Sequence, residues 1–306
     1  MNKRYRLRGG LLFEVMVACA LIAIIVPLIG RAIWQLQTHD VLARMFSQQE
    51  TFSSALASQF SAQWSRLRPA GCSPNDHSQL RIGKGGEVPK RLQSRDVDDH
   101  SDWLQATDSG ACRLSIRSLS NPLTLTNECG FSPGERANVS TCLGNIDARV
   151  SRVSAQSTTF QLSSLTVMST DSNKAVSLVG QTGVLESRAS FYWYVGRGKN
   201  HQPAFWRTPV FSGRSLALWL GLKRLAVFPL LDDNQDGKVD AIDKDYGTYD
   251  MSKVLGLWVE YLYQLNDCEV AKSTQRQRTY HSMRGEQWQY NAPCEGVANT
   301  IVVFTG

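Results

Sequence analysis

The sequence predicts an α+β protein: one long N-terminal helix, membrane-spanning in its first half, packed on an antiparallel β-sheet, with disulfide-tied loops. Three observations carry this. Leu11 to Gly30 is a twenty-residue apolar run with one ionisable side chain, Glu14, and it leads into a stretch to Leu67 that lacks Gly and Pro. Later segments are apolar-alternating, β-branched or aromatic, as strands are. Six cysteines beyond Cys19, namely Cys72, Cys112, Cys129, Cys142, Cys268 and Cys294, are an even set suited to disulfides.

The apolar run is long enough, at about 1.5 Å per residue, to cross a hydrocarbon core of about 30 Å. Lys3, Arg4, Arg6 and Arg8 precede it with no acid, so the positive-inside bias keeps that end cytoplasmic and sends the body outward. A secretory signal fits poorly, because a carboxylate in its apolar core costs about 2.5–3.5 kcal/mol at mid-membrane. A lipoprotein signal using Met16-Val17-Ala18-Cys19 would leave Leu21 to Gly30 as an apolar stub. Cys19 reads as a small apolar helix residue.

A short basic leader ending in glycine, then an apolar helix bearing Glu14, resembles the N-terminal segment of type IV prepilins and type II secretion pseudopilins. The resemblance implies removal of residues 1–9 by prepilin peptidase between Gly9 and Gly10 and methylation of the new amine. Glu14, then at mature position five, would offset the charged amine of a neighbouring subunit during assembly. Cutting after Gly10 would place it at position four. The family's kinking proline often lies at mature position twenty-two, whereas Pro27 falls at eighteen, about one turn earlier. The implied partners are the major pilin, other minor pilins and the inner membrane. The implied location is the inner membrane with a periplasmic domain, and after assembly the pilus, at its tip.

From Arg31 to Leu67, Ile33, Leu36, Val41, Leu42, Met45, Phe46, Phe52, Leu56, Phe60, Trp64 and Leu67 recur at helical spacing. The predicted helix therefore spans residues 10–68, stopped by Pro69-Ala70-Gly71, its outer half amphipathic and packed under a sheet. Residues 69–306 form the predicted globular body. Its first part, Cys72 to Asn145, is rich in Gly, Pro, Ser and Asp and reads as loops tied by cysteines. Strands are expected at Thr158 to Met168, Ala175 to Val179, Ser190 to Val195, Leu216 to Phe228, Val254 to Leu265 and Asn299 to Phe304; Leu216 to Leu225 could begin as a helix turn. Of fifteen possible pairings, short loops favour Cys129–Cys142 and Cys268–Cys294, leaving Cys72 with Cys112.

A second motif lies in LDDNQDGKVDAID, Leu231 to Asp243. Asp232, Asn234 and Asp236 match positions one, three and five of a calcium loop, Gly237 the turn at six, and Lys238 the carbonyl at seven. Asp240 and Asp243 fall at nine and twelve, and Val239 at eight is expected to point to the core. Position twelve is Asp rather than a bidentate Glu, and Pro229 opposes a helix leading in. An isolated Ca²⁺ loop with a dissociation constant of about 0.1–1 mM is the expectation; the alternative is an acidic solvated turn. A loop of this kind between strands also resembles that of minor pilins of the W type.

The formal charge of +6 falls to +2 without the four leader cations, so nucleic acid is not indicated as a partner. No CxxC pair, HExxH, phosphate-binding loop or dinucleotide fingerprint is present. Gly130-Phe131-Ser132-Pro133-Gly134 satisfies GxSxG, but without strand-then-helix context it reads as a turn. A non-enzymatic minor pilin that initiates or caps a pilus is therefore expected. A type II secretion pseudopilin and a tip adhesin or DNA-uptake subunit are the alternatives.

Overall fold

The computed structural model describes residues 10–67, 78–108, 112–168, 174–187, 189–198, 201–266, 268 and 275–304. Over these the chain is α+β, with one long helix and antiparallel sheets. Helix α1 runs Gly10–Trp64 and contains Pro27. At about 1.5 Å per residue it is about 80 Å long.

The helix divides by environment. From Phe13 onward its apolar residues are exposed, including Leu21, Ile25, Ile33, Trp34 and Leu36, and Met45 is the first buried one. Leu56, Phe60 and Trp64, with Leu67 just beyond, are fully buried. The expected stripe is thus split: Ile33, Leu36, Val41 and Phe46 remain exposed. The helix ends at Trp64, short of the Pro-Ala-Gly stop, which lies outside the described residues.

Two sheets enclose the buried half. The main sheet contains β1 (Gln79–Lys84), β2 (Asp102–Asp108), β11 (Ala189–Arg197), β12 (Pro203–Pro209), β13 (Leu216–Leu220) and β16 (Gly247–Asp250), ordered β13-β12-β11-β2-β1-β16. The second contains β14 (Leu222–Leu231), β15 (Ala241–Ile242), β17 (Val254–Gln264) and β20 (Glu295–Val303), ordered β15-β14-β17-β20. Gly221 makes the break between β13 and β14: its φ is +87°, and a Cβ there would lie 2.4 Å from the Gln264 carbonyl oxygen. The single strand expected from Leu216 to Phe228 is thus corrected to two strands in different sheets, and the alternative helix turn at Leu216 does not form.

Aromatic packing joins helix to sheets. Phe60 stacks on Trp64 with centroids 4.9 Å apart and meets Phe205 and Tyr261 edge-on at 5.2 and 5.3 Å. Polar tips complete the contact: Tyr261 donates to Ser53 O at 3.0 Å, and Gln49 Nε2 donates to Pro293 O at 2.6 Å. A hairpin of β18 (Arg276–His281) and β19 (Gln287–Ala292) covers the other face of the second sheet, with Trp288 buried on Phe228 and Leu262.

Residues 109–188 are an insertion between β2 and β11, which are paired neighbours with Asp108 opposite Ala189. It holds a separate sheet, ordered β3-β10-β5-β6-β7-β4, from β3 (Arg113–Ile116), β4 (Leu123–Thr126), β5 (Arg136–Thr141), β6 (Gly144–Val153), β7 (Ser157–Leu162) and β10 (Gly183–Ser187). A small ribbon of β8 (Thr166–Met168) and β9 (Ala175–Ser177) accompanies it. This lobe has its own core around Val139, Val150, Phe160 and Leu185. The expected loop region between Cys72 and Asn145 is thus corrected: it supplies β1 to β5 and the start of β6. Its Thr, Ser and Asn content hid strands that bury several of those polar side chains, Asn138, Ser140 and Thr141 among them.

The cysteine pairing is also corrected. Cys112 pairs with Cys129, with Cα atoms 5.6 Å apart, instead of Cys129 with Cys142. Cys268–Cys294 is formed as expected. Cys142 is disulfide-bonded; Cys72 lies outside the described residues. Cys129 precedes the Gly130–Gly134 turn and Cys142 follows the far end of β5, so a turn and a whole strand stand between them.

Candidate functional sites: the N-terminal helix and the aspartate loop

Gly9 lies outside the described residues, and Gly10 opens α1. Glu14 lies on the exposed half of the helix and has no partner among the described residues. Around it Phe13, Val15, Met16 and Val17 are all exposed. This helix is long and apolar enough to cross a membrane, and an ionisable group in such a segment needs a partner or water.

The aspartate loop leaves β14 and returns through β15, where Leu230 and Leu231 pair with Ile242 and Ala241. Its turns are made by its own side chains. Asp232 is buried and accepts from the N–H groups of Asp236 at 3.0 Å and Gly237 at 2.9 Å. Asn234 accepts from Asp236 N at 2.9 Å, and Asp236 from Lys238 N at 2.9 Å. These are Asx turns, which favour residues with short side-chain oxygens. Gly237 has φ +83°, the left-handed conformation that a glycine adopts without penalty.

Asp240 faces the start of the loop, accepting from Asp233 N at 2.9 Å and Asn234 N at 3.3 Å. Asp243 accepts from Asp245 N at 2.9 Å. The backbone therefore curls as the spacing requires, while the carboxylates turn onto the loop's own N–H groups. Among the described residues no three His, Cys, Asp or Glu side chains gather as a metal-ligand group. Lys238 reaches only to 3.9 Å from Asp236 and is largely exposed. Val239 is 48% exposed, correcting its expected place in the core; the short β15 pairing fixes Ala241 and Ile242 instead.

A buried cluster at the loop's exit was not anticipated. Asp102, on β2, accepts from Arg284 Nη2 at 2.8 Å, Val227 N at 2.7 Å and the Tyr246 hydroxyl at 3.0 Å. Arg284 also donates to Val227 O and Lys244 O and lies over the rings of Tyr246 and Phe228, at 4.0 and 4.7 Å. Burial pushes Asp102 up to about 6, against the opposing pull of Arg284. Tyr246 is raised by burial and then by the Asp102 charge. Tyr249 is raised by burial and then by Asp243; its hydroxyl donates to Asp245 O at 2.7 Å. No sequence spacing could reveal this cluster, because its members come from four separate segments: Asp102, Val227 with Phe228, Lys244 with Tyr246, and Arg284.

Gly130 to Gly134 is a turn leading into strand β5, with φ of +61° and +82° at its two glycines. Ser132 N donates to Glu135 Oε2 at 2.8 Å there. Compared with protein-family models, characterised proteins and solved structures, the chain matches none.

Proposed function

We propose that this protein is a minor pilin-like subunit, anchored in the inner membrane before assembly and incorporated at the tip of a pilus. The observation that carries the reading is the division of α1. Its first half is apolar and uncovered and bears a lone carboxylate, while its second half forms the spine of the body's core. A helix with such a half needs either lipid or other apolar helices around it. Glu14, following the basic leader, supplies a charge that an assembled neighbour's amine can meet.

The aspartate loop fits this reading as a calcium-stabilised brace of the exported domain. Residues 232–243 carry five aspartates and one lysine, and a bound cation offsets that repulsion. Calcium tolerates the flexible oxygen set such a loop offers.

The test is processing and assembly in cells. The mature protein should begin at Gly10 with a methylated amine by mass spectrometry. Glu14→Ala should be inserted and cleaved normally yet be depleted from sheared filaments. An intact Met1, a lipid on Cys19, or normal incorporation of the variant would overturn the reading.

A further inference from the structure

Two adjoining hollows open where the inserted lobe meets the main sheet. One, of about 620 Å³, is walled by Thr107, Glu135, Arg136, Asp147, Ser190 and Phe211. The other, of about 440 Å³, shares Arg136 and Asp147 and adds Arg149 and Gln161. Together they make one groove along the outer face of the lobe's sheet, charged at Arg136, Asp147 and Arg149 and otherwise more apolar than polar. Its size suits a small oligosaccharide or a ligand of similar bulk.

Arg136, Arg149 and Asp147 form no ion pair among the described residues, whereas the Glu135 carboxylate accepts from Ser132 N at 2.8 Å. Arg136 and Arg149 are directly opposite across β5 and β6, an arrangement in which like charges destabilise a sheet. Arg136 has no hydrogen bond or ion pair among the described residues, and Arg149 reaches only the Gly134 carbonyl, at 3.4 Å. Asp147 is two residues before Arg149 on β6 and therefore on the same face. Its carboxylate likewise has no partner among the described residues, and it is exposed. Phe211, between β12 and β13, is 80% exposed at the rim. Packing explains none of these placements.

The mixture selects the ligand. Two opposed guanidiniums call for a carboxylate, which they bind with charge-assisted and bidentate geometry. Asp147 and Glu135 in the same walls repel a polyphosphate or nucleic-acid backbone but accept from hydroxyls, and Gln161 both accepts and donates. A flat exposed aromatic ring offers its face to the C–H side of a pyranose. We propose that the groove binds an acidic saccharide, with the carboxylate on Arg136 and Arg149, hydroxyls on Asp147 and Glu135, and a ring on Phe211. This proposal is independent of the filament reading, because every residue in it lies on the body and none on α1.

Full-length protein in a non-glycosidic detergent should be titrated with trigalacturonate, sialyllactose, maltotriose and tripolyphosphate, using calorimetry and saturation-transfer NMR. At least one of the two acidic saccharides should bind, with maltotriose and tripolyphosphate each weaker by about tenfold or more. Arg136→Gln and Arg149→Gln should each weaken that binding by about tenfold, and Phe211→Ala should remove saturation transfer to ring protons. Arg136→Gln should keep or raise the melting temperature, since it relieves a like-charge pair, so lost binding cannot be ascribed to unfolding. The proposal is overturned if neither acidic saccharide binds at millimolar concentration, if tripolyphosphate binds as well as they do, or if the arginine variants bind unchanged.

Discussion

Arg284 donates to Asp102 at 2.8 Å across 182 positions of sequence, with the two side chains only 10% and 5% exposed. The pair fastens the turn of the β18–β19 hairpin to β2 and, through Tyr246 and Lys244, to the exit of the aspartate loop. One ion pair thus ties together elements that share no sheet.

Arg284→Met should destabilise the body by about 3–5 kcal/mol at pH 7.5, because it strands a buried carboxylate. The Asp102→Asn, Arg284→Met double variant should lose less than the single one. Urea denaturation of the four proteins closes the cycle, and equal losses in the single and double variants would show that Asp102 is not the partner at stake.

Acid should strengthen this site. Asp102 titrates near 6 when folded and near its ordinary 3.8 when unfolded, so between those values the folded state binds more protons. Its contribution is fully present below pH 3.8 and is lost as pH rises through 6. The difference between pH 4 and pH 7.5 is about 2 kcal/mol for a shift of about two units, because pH 4 still lies just above the unfolded value. Asp102→Asn should remove that component, measured as the change in urea midpoint between the two pH values, and the cost of Arg284→Met should shrink at pH 4.

Calcium should raise the melting temperature of the protein. Binding to the folded state alone adds RT ln(1 + [L]/Kd), about 1.4 kcal/mol at tenfold excess over Kd, and magnesium should do less because it demands a stricter octahedron. Asp236→Ala should abolish the shift, whereas Asp245→Ala, outside the twelve-residue loop, should keep it. A shift that survives Asp236→Ala, or calorimetry without heat at millimolar calcium, would reduce the loop to an acidic turn.

The Cys112–Cys129 bridge closes a short loop, with a sequence separation of 17. Its loss in Cys112→Ser should cost about 3 kcal/mol. Hydrogen exchange should locate the effect: amides of β5, β6 and β10 should lose protection while those of β14 and β17 keep theirs, because the lobe has its own core. Uniform loss across both cores would argue that the two unfold together.

How far the sequence disclosed this arrangement depended on how each residue's burial is written. The helix was legible because Met45, Leu56, Phe60 and Trp64 repeat at its period, and β11 and β17 because long aromatic and β-branched runs have one reading, whereas the break at Gly221 between β13 and β14 leaves no mark on such a run. The lobe was not. Its strands carry Asn138, Ser140 and Thr141, which are buried in the fold but read as loop from composition. The disulfide error has the same root, since loop length says nothing of a strand standing between two cysteines. The aspartate spacing foretold the turns, because Asx turns depend on local residues alone. The placement of Val239 depended on β15, a pairing of two residues too short to leave a period. The groove escaped because Arg136 and Phe211 line one hollow only through tertiary structure.

The position of the insertion bears on how the chain folds. β2 and β11 must find each other across residues 109–188, and the entropy of closing a loop grows by about 0.6 kcal/mol for each doubling of its length. A lobe that collapses first on its own short-range hairpins β5–β6 and β6–β7 ends this search. Asp108 and Ala189 are then held as neighbours, and the lobe behaves as a tight turn. The same geometry makes the lobe a cassette: residues 109–188 can be exchanged or replaced by a short connection, and the main sheet loses no strand.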